Sequence, residues 1–412
     1  MHKKSGLKLM LLPVLIVLAV MLYQLPPIHE RLSWRVDFAL TYLRGYIRPA
    51  SAMPTPLPQP QVRVTLNPPT PSPTIHHTPT LGPTATPTPS PTPLPSSVSL
   101  QAPAWEKQDI NNCGPATLAM YLRYYGWEGD QFTISDEIKP LREDRNVNVE
   151  EIAYYMRTFV GWLRTEYRVG GNIELLKQFL AAGIPVMIEE SFYFEESYWP
   201  NDDHWAAHYN LLTGYDDATQ TFTGQDSYYG PDQKISYDEL DELWQSFNRV
   251  YILIYPPEME ETVKEILGPD WDPDVNRQHA LEIAQAETEA DPDNAFAWFN
   301  LGTNLVYFER YTQAALAYDT ARNLGLPQRM LRYQFGPFMA YFHGGRNADL
   351  LALTEYALER TPNSEEALLW RGWGLFREGK YNQAAELFRQ ALEENPKYID
   401  AQYALNYLLE NQ

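Results

Sequence analysis

Apolar residues change their spacing repeatedly along the chain, and each change marks a different kind of segment. A continuous run, LMLLPVLIVLAVMLYQL at 9–25, follows Lys3, Lys4 and Lys8. It is about long enough to cross a bilayer core, which needs roughly 20 residues. In 28–48, Leu32, Trp34, Val36, Phe38, Leu40, Leu43 and Ile47 stand among arginines. That pattern fits an amphipathic helix lying on a membrane or a plain helical continuation of the apolar run. Residues 49–99 lose periodicity and become rich in Pro, Thr and Ser, with TPTLGPTATPTPSPTPLP near their end. Nothing there can bury a core, so the segment is expected to be disordered and extended, with a reach on the order of 100 Å. Helical spacing returns over Gly114–Tyr125, stopped by Gly126, and over Val149–Phe159 and Ile173–Ala182. It then gives way to β-branched and aromatic runs at 184–191, 208–216, 221–226 and 249–256, bounded by turn residues. Helices followed by antiparallel strands predict an α+β domain over 100–257. After a connection at 258–275, residues 276–412 read as helical to the end.

The last segment repeats itself. Gly372, Gly379, Tyr381, Ala384, Phe388, Ala391 and Pro396 fall where the tetratricopeptide pattern wants small, aromatic and terminating residues. Trp298, Leu301, Gly302, Tyr311, Ala314, Tyr318 and Ala321 do the same one array earlier. The stretch between them is degenerate and about two residues too long; a half-repeat, HALEIAQAETEADPDN, precedes, and DAQYALNYLLE closes the array. The resemblance to tetratricopeptide repeats implies an all-α solenoid that binds a protein partner.

Composition narrows the chemistry. A formal net charge of −21 lacks the basic footprint that nucleic acid requires. A single cysteine excludes intramolecular disulfides and Cys-rich metal sites. Neither a phosphate-cradling nor a dinucleotide motif is present, so no cofactor or metal is expected. PDWDPD at 269–274 reads as an interdomain linker rather than a calcium loop. QLPPIHERLSW after the apolar run offers no small-x-small cleavage site. Residues 1–27 are therefore read as a cytoplasmic tip and an uncleaved transmembrane anchor. A Pro/Thr-rich stalk belongs outside cells, so the expected topology is single-pass in the cell membrane, N-terminus cytoplasmic, globular domains extracellular.

The lone cysteine, Cys113 in QDINNCGPATLAMYLRYYG, stands at the mouth of a helix. The positive end of the helix dipole favours a thiolate there. The unpaired N–H groups of the first turn offer half an oxyanion hole, and Gln108 offers a side-chain donor. A nucleophilic cysteine needs a base. His208 opens the strand HYNLLTGYD, and Asp226 closes TFTGQD. With YDDATQT as the hairpin turn, paired residue numbers sum to about 436: Tyr215 opposes Thr221, Asn210 opposes Asp226, and His208 opposes Tyr228. His208 and Asp226 then become diagonal neighbours on one face. The competing readings are a buried structural cysteine, an Asp226 that only caps the turn before Tyr228, an ordinary half-exposed strand residue at His208, and His204 in the acidic loop NDDHWAAH as the base. The aromatic, acidic stretch 192–205 reads as a substrate lip, a lid or a plain surface loop.

These motifs together resemble the bacteriocin-leader-processing (double-glycine) cysteine peptidases and their papain-like relatives. The resemblance implies a papain-like fold over 100–257. It implies Cys113 as nucleophile, His208 as general base and acid, Asp226 as the residue that orients it, and Gln108 as oxyanion donor. Gln108 is one residue closer to the cysteine than in the leader peptidases, which leaves Lys107 at their usual position. The expected function is a membrane-anchored peptidase acting on a peptide or protein. The alternatives are a non-catalytic peptide-binding scaffold and a thioester-forming acyltransferase.

Overall fold

A computed structural model describes residues 17–49, 51–58 and 93–411. Residues 97–255 are built on a seven-stranded antiparallel sheet of order β2-β7-β3-β4-β5-β6, with β1 also pairing β4. The strands are β1 (Ser97–Ser99), β2 (Arg164–Arg168), β3 (Val186–Tyr193), β4 (Trp205–Asp216), β5 (Thr221–Asp226), β6 (Gly230–Ser236) and β7 (Tyr251–Tyr255). Alternation sends Met187, Leu211 and Ile252 to one face, where α2 (Cys113–Tyr124), α3 (Gln131–Ile138) and α4 (Val149–Phe159) cover them. Ile188, Leu212 and Leu253 point the other way, onto α5 (Ile173–Ala181), α6 (Tyr237–Gln245) and α7 (Glu260–Leu267). Both faces of the central strands are buried, so Tyr251–Tyr255 reads as an unbroken apolar run. Asn148 and Glu151 start α4 with a reciprocal capping box.

The β4–β5 hairpin departs from the simple register at its tip. Tyr215 pairs with Phe222, not Thr221, and Asp216 takes Thr221. An irregularity between Leu212 and Gly214 absorbs one residue, so that Leu212 faces Gly224 and Asn210 faces Asp226 as the numbering sum requires. β1 lies against this same end of β4: a side chain on Gly214 would meet the Val98 carbonyl at 2.5 Å.

The connection after β7 is itself helical. Val263 and Leu267 of α7 join the core of the sheet domain, and Asp272 caps α8 (Pro273–Ala290) by accepting from the amides of Asp274 and Val275. The helical array follows as α9 (Ala295–Tyr307), α10 (Tyr311–Leu324), α11 (Gly336–His343), α12 (Asn347–Arg360), α13 (Glu365–Arg377), α14 (Tyr381–Glu394) and α15 (Ile399–Glu410). Gly302 and Gly372 occupy equivalent places because their partners lie too close for a side chain. A Cβ there would sit 2.7 Å from Tyr318 and 2.4 Å from Phe388. The overlong stretch is a 3₁₀ turn, Gln328–Arg332, ahead of a helix of only eight residues.

Sheet domain and repeats share one apolar cluster. Trp205 stacks between Phe247 and Phe296, with centroids at 5.8 and 6.3 Å, and meets Tyr333 edge-on. Asn248 and Asn304 exchange side-chain hydrogen bonds beside it.

The helix expected over 28–48 is present as α1 (Pro26–Ile47), and it lies on the folded body. Arg145 donates to Asp37 at 2.9 Å and Thr41 at 2.7 Å, and Phe38 packs on Trp199. Residues 51–58, expected to be the free start of the stalk, are held along the repeats, where Met53 is buried. Residues 59–92 lie outside the described residues, as do residues 1–16, which hold the first part of the apolar run. Among the described residues no helix is long and apolar enough to cross a membrane.

Candidate active site

Cys113 is the first residue of α2, reached through Asn111 in the left-handed region (φ 53°) and a buried Asn112. Gln131 of α3 holds this approach in place. Its Oε1 accepts from the Asp109 amide and from Asn112 Nδ2, and its Nε2 donates to Glu106 and to the Lys107 carbonyl. The Cys113 N–H belongs to the first turn, whose amides have no intrahelical partner.

His208 enters from β4, is buried, and lines one cavity with Cys113. Its Nε2 lies 3.1 Å from Asp226 Oδ1. Nε2 nevertheless has no hydrogen bond of good geometry, so this contact is an ion pair rather than a straight hydrogen bond. Asp226 also caps the turn that follows it, accepting from the amides of Tyr228 at 2.6 Å and Tyr229 at 2.8 Å. The capping and pairing readings of Asp226 therefore both hold. Its carbonyl takes the Trp105 indole N–H at 2.8 Å.

The charges follow from this geometry. Burial alone would raise the Cys113 thiol, but the hydrogen bond and charge of His208, with the Tyr209 and Gly114 amides, bring it below its ordinary value. Burial alone would lower His208; Asp226 and the thiolate outweigh that and push it up to about 10. Asp226 is held below the ordinary carboxylate range: burial opposes this, and the His208 charge with the Tyr229 and Tyr228 amides overcomes it. Both shifts favour the thiolate beside an imidazolium.

Gln108 lines the same cavity, of about 210 Å³, and Lys107 lines it too. The Gln108 amide N–H donates to the Ser227 carbonyl, and its Oε1 accepts from Ser227 Oγ at 2.9 Å. The side-chain NH₂ is thereby left as the free end. His204 is not in the cavity wall; its Nδ1 bonds the Phe194 carbonyl at 2.9 Å. Of the stretch 192–205, Phe192, Phe194, Tyr198 and Trp199 line the cavity, and Phe192 packs on the His208 ring at 5.3 Å.

Several contributors escaped the sequence reading. Glu190 stands directly across from His208 on β3 and accepts from Asn210 Nδ2 at 3.1 Å. Arg329, Arg332 and Tyr333, from the 3₁₀ turn between repeats, complete the cavity wall. Arg329 also grips Asp202 of the lip at 2.6 Å. The extra length of that inter-repeat stretch was the only signal of its second role.

Residues 99–256 match the Peptidase_C39 like family, and residues 365–398 match the tetratricopeptide repeat. The chain is similar to the cytochrome c-type biogenesis protein CycH of Pseudomonas aeruginosa, 29% identical over 133 residues, or 31% of this chain. It spans about a third of that relative's length, 32%. Among solved structures it is similar to a double glycine motif protease from an AMS/PCAT transporter in complex with the leader peptide. That match has 20% identity and a TM-score of 0.29 over 39% of this chain and 94% of the other. It is also similar to YrrB, a TPR protein with an unusual peptide-binding site: 20% identity and a TM-score of 0.29 over 37% of this chain and 81% of the other.

Proposed function

We propose that the chain is a membrane-anchored, extracytoplasmic cysteine peptidase whose C39-like domain hydrolyses peptide bonds and whose tetratricopeptide domain contacts protein. The observation that carries this reading is the relay itself. One buried imidazole shares a cavity with the sulfur at a helix N-terminus and is paired with a carboxylate.

In this reading the Cys113 thiolate attacks the scissile carbonyl carbon. The oxyanion is held by the Cys113 N–H and the Gln108 side-chain NH₂. The His208 imidazolium gives its proton to the departing amine, leaving a thioester and a neutral imidazole. Water then adds to the thioester as His208 takes its proton; collapse expels the Cys113 sulfur and releases the acid. Asp226 keeps the imidazole oriented throughout and stabilises it whenever it carries the proton. Anchoring rests on the basic tip and apolar run of residues 1–25, and the outward orientation on the Pro/Thr-rich stalk.

Because Cys113 is the only thiol, one reagent reads both parts of the proposal. A membrane-impermeant iodoacetamide applied to intact cells is expected to label Cys113 at pH 6 well above the rate of a free thiol. Cys113→Ala is expected to lower peptide hydrolysis by about 10³-fold or more with the fold intact. Labelling of purified protein no faster than a free thiol would count against catalysis and favour the peptide-binding scaffold. Labelling only after lysis would overturn the orientation.

A further inference from the structure

The chain segment that follows α1 is bound as a peptide is bound. Arg360 Nη1 donates to the Arg48 carbonyl at 2.9 Å and Nη2 to the Pro49 carbonyl at 2.6 Å. Tyr356 Oη donates to the Ser51 carbonyl at 2.7 Å, and Arg322 donates to the Pro54 carbonyl. At the far end Asp349 accepts from the Leu57 amide at 2.9 Å. Between these contacts Met53 sinks into the apolar cluster that includes Leu353 and Tyr356, leaving 9% of its surface exposed. All the reading groups come from α10 and α12, the second helices of the first two repeats. Arg346 ties those helices together by donating to Asp319 and Asp349.

We propose that this face of the repeat domain is a receptor for an extended, proline-rich peptide with one apolar anchor, and that its occupant is the chain's own segment 48–57. The chemistry fits such a ligand. Prolines at 49, 54 and 56 have no N–H to satisfy, so a site for them must work through carbonyls, as the two arginines and the tyrosine do. A polyproline-like strand is already extended and loses little entropy on binding. The sequence supports the same reading independently. PTPLP at 54–58 recurs at 91–95, where Ser90 stands in place of Met53. The second copy begins the return to the sheet domain, where Tyr215 Oη donates to the Pro95 carbonyl at 2.6 Å. Segments on both sides of 59–92 are thus held on the folded body. An outside partner of this chemistry must displace the internal copy.

The test uses the full-length protein and a fluorescein-labelled peptide of residues 48–58, RPASAMPTPLP, followed by anisotropy. Met53→Asp removes the internal anchor without touching the receptor, and this variant is expected to bind the peptide at least tenfold more tightly than the wild type. Adding Arg322→Met and Arg360→Met to it should cost tenfold or more. If that chain folds poorly by circular dichroism, Tyr356→Phe with Arg360→Met serves instead and should show a loss of the same sign. An unlabelled peptide of residues 85–95, ATPTPSPTPLP, is expected to compete more weakly, since serine cannot fill the methionine pocket. Equal binding by the wild type and Met53→Asp, or binding that survives loss of the reading side chains, would overturn the receptor. Absence of competition by 85–95 would overturn its assignment to the shared PTPLP sequence.

Discussion

At the scale of single residues, the thiol and the imidazole keep each other charged, and Asp226 is not the only carboxylate within reach. Glu190 is buried across the strand pair from His208; burial pushes it up to about 7, against the Asn210 bond and the His208 charge. Its second oxygen has no partner. Above neutrality it ionises and adds a second negative charge beside the imidazolium. Glu190→Gln removes that charge, so the alkaline limb of the kcat/KM profile should move down by roughly one pH unit, about 1.4 kcal/mol. The acid limb and the activity near pH 6 should stay. An unchanged alkaline limb would assign Glu190 a purely structural place. The main chemical residues were legible because each carries a local signal: a lone cysteine before Gly-Pro, a His opening a strand, an Asp closing the next. Glu190, Gln131 and Ser227 were not, because they act through cross-strand or long-range contacts that leave no local pattern.

At the scale of elements, the hairpin and the inter-repeat stretch teach opposite lessons. A register counted from the turn was wrong at Tyr215 yet right at Asn210, because one extra residue is absorbed where β1 joins β4. Alternation alone cannot see a third strand. The overlong stretch looked like decay of the repeat; it is instead the 3₁₀ turn that carries Arg329, Arg332 and Tyr333 into the cavity wall. Trp205 couples the two, since it begins the His208 strand and meets Tyr333 edge-on. Trp205→Ala should cost about 3–5 kcal/mol by emptying that space. Calorimetry should then resolve two transitions in place of one, and the proposed peptidase activity should fall although Cys113, His208, Asp226 and Gln108 are unchanged. A single transition at the wild-type temperature would show that the repeats do not depend on this contact.

At the scale of the whole molecule, the periodicities predicted a chain of separate parts, whereas the described parts pack into one body. Nothing in a helical or proline-rich pattern says which surface it will cover, so the folding back of 26–57 was invisible. The same holds for the second seam between sheet domain and repeats, where acidic groups meet. Asn363 donates to the Glu143 carbonyl, and Lys397 pairs with Glu137 at 2.6 Å. Behind them lie the half-buried Glu151 of α4 and the buried Glu365 and Glu366 of α13. Burial first, then one another's charge and that of Asp144, hold all three well above the ordinary carboxylate range. Asp144 is raised by the same burial, and Lys139, the cation facing them, is lowered by it. Carboxyls whose folded values exceed their unfolded ones take up protons on folding. Their contribution is complete below the unfolded carboxylate range and is lost as pH rises through the folded values. The seam should therefore be firmest in mild acid and loosen toward pH 8, with the melting temperature falling by several degrees between pH 5.5 and 8. Glu365→Gln with Glu366→Gln keeps the shape and removes the protons. In that variant the melting temperature should vary less with pH and exceed the wild type's at pH 8; an undiminished slope would place the pH dependence elsewhere in the molecule.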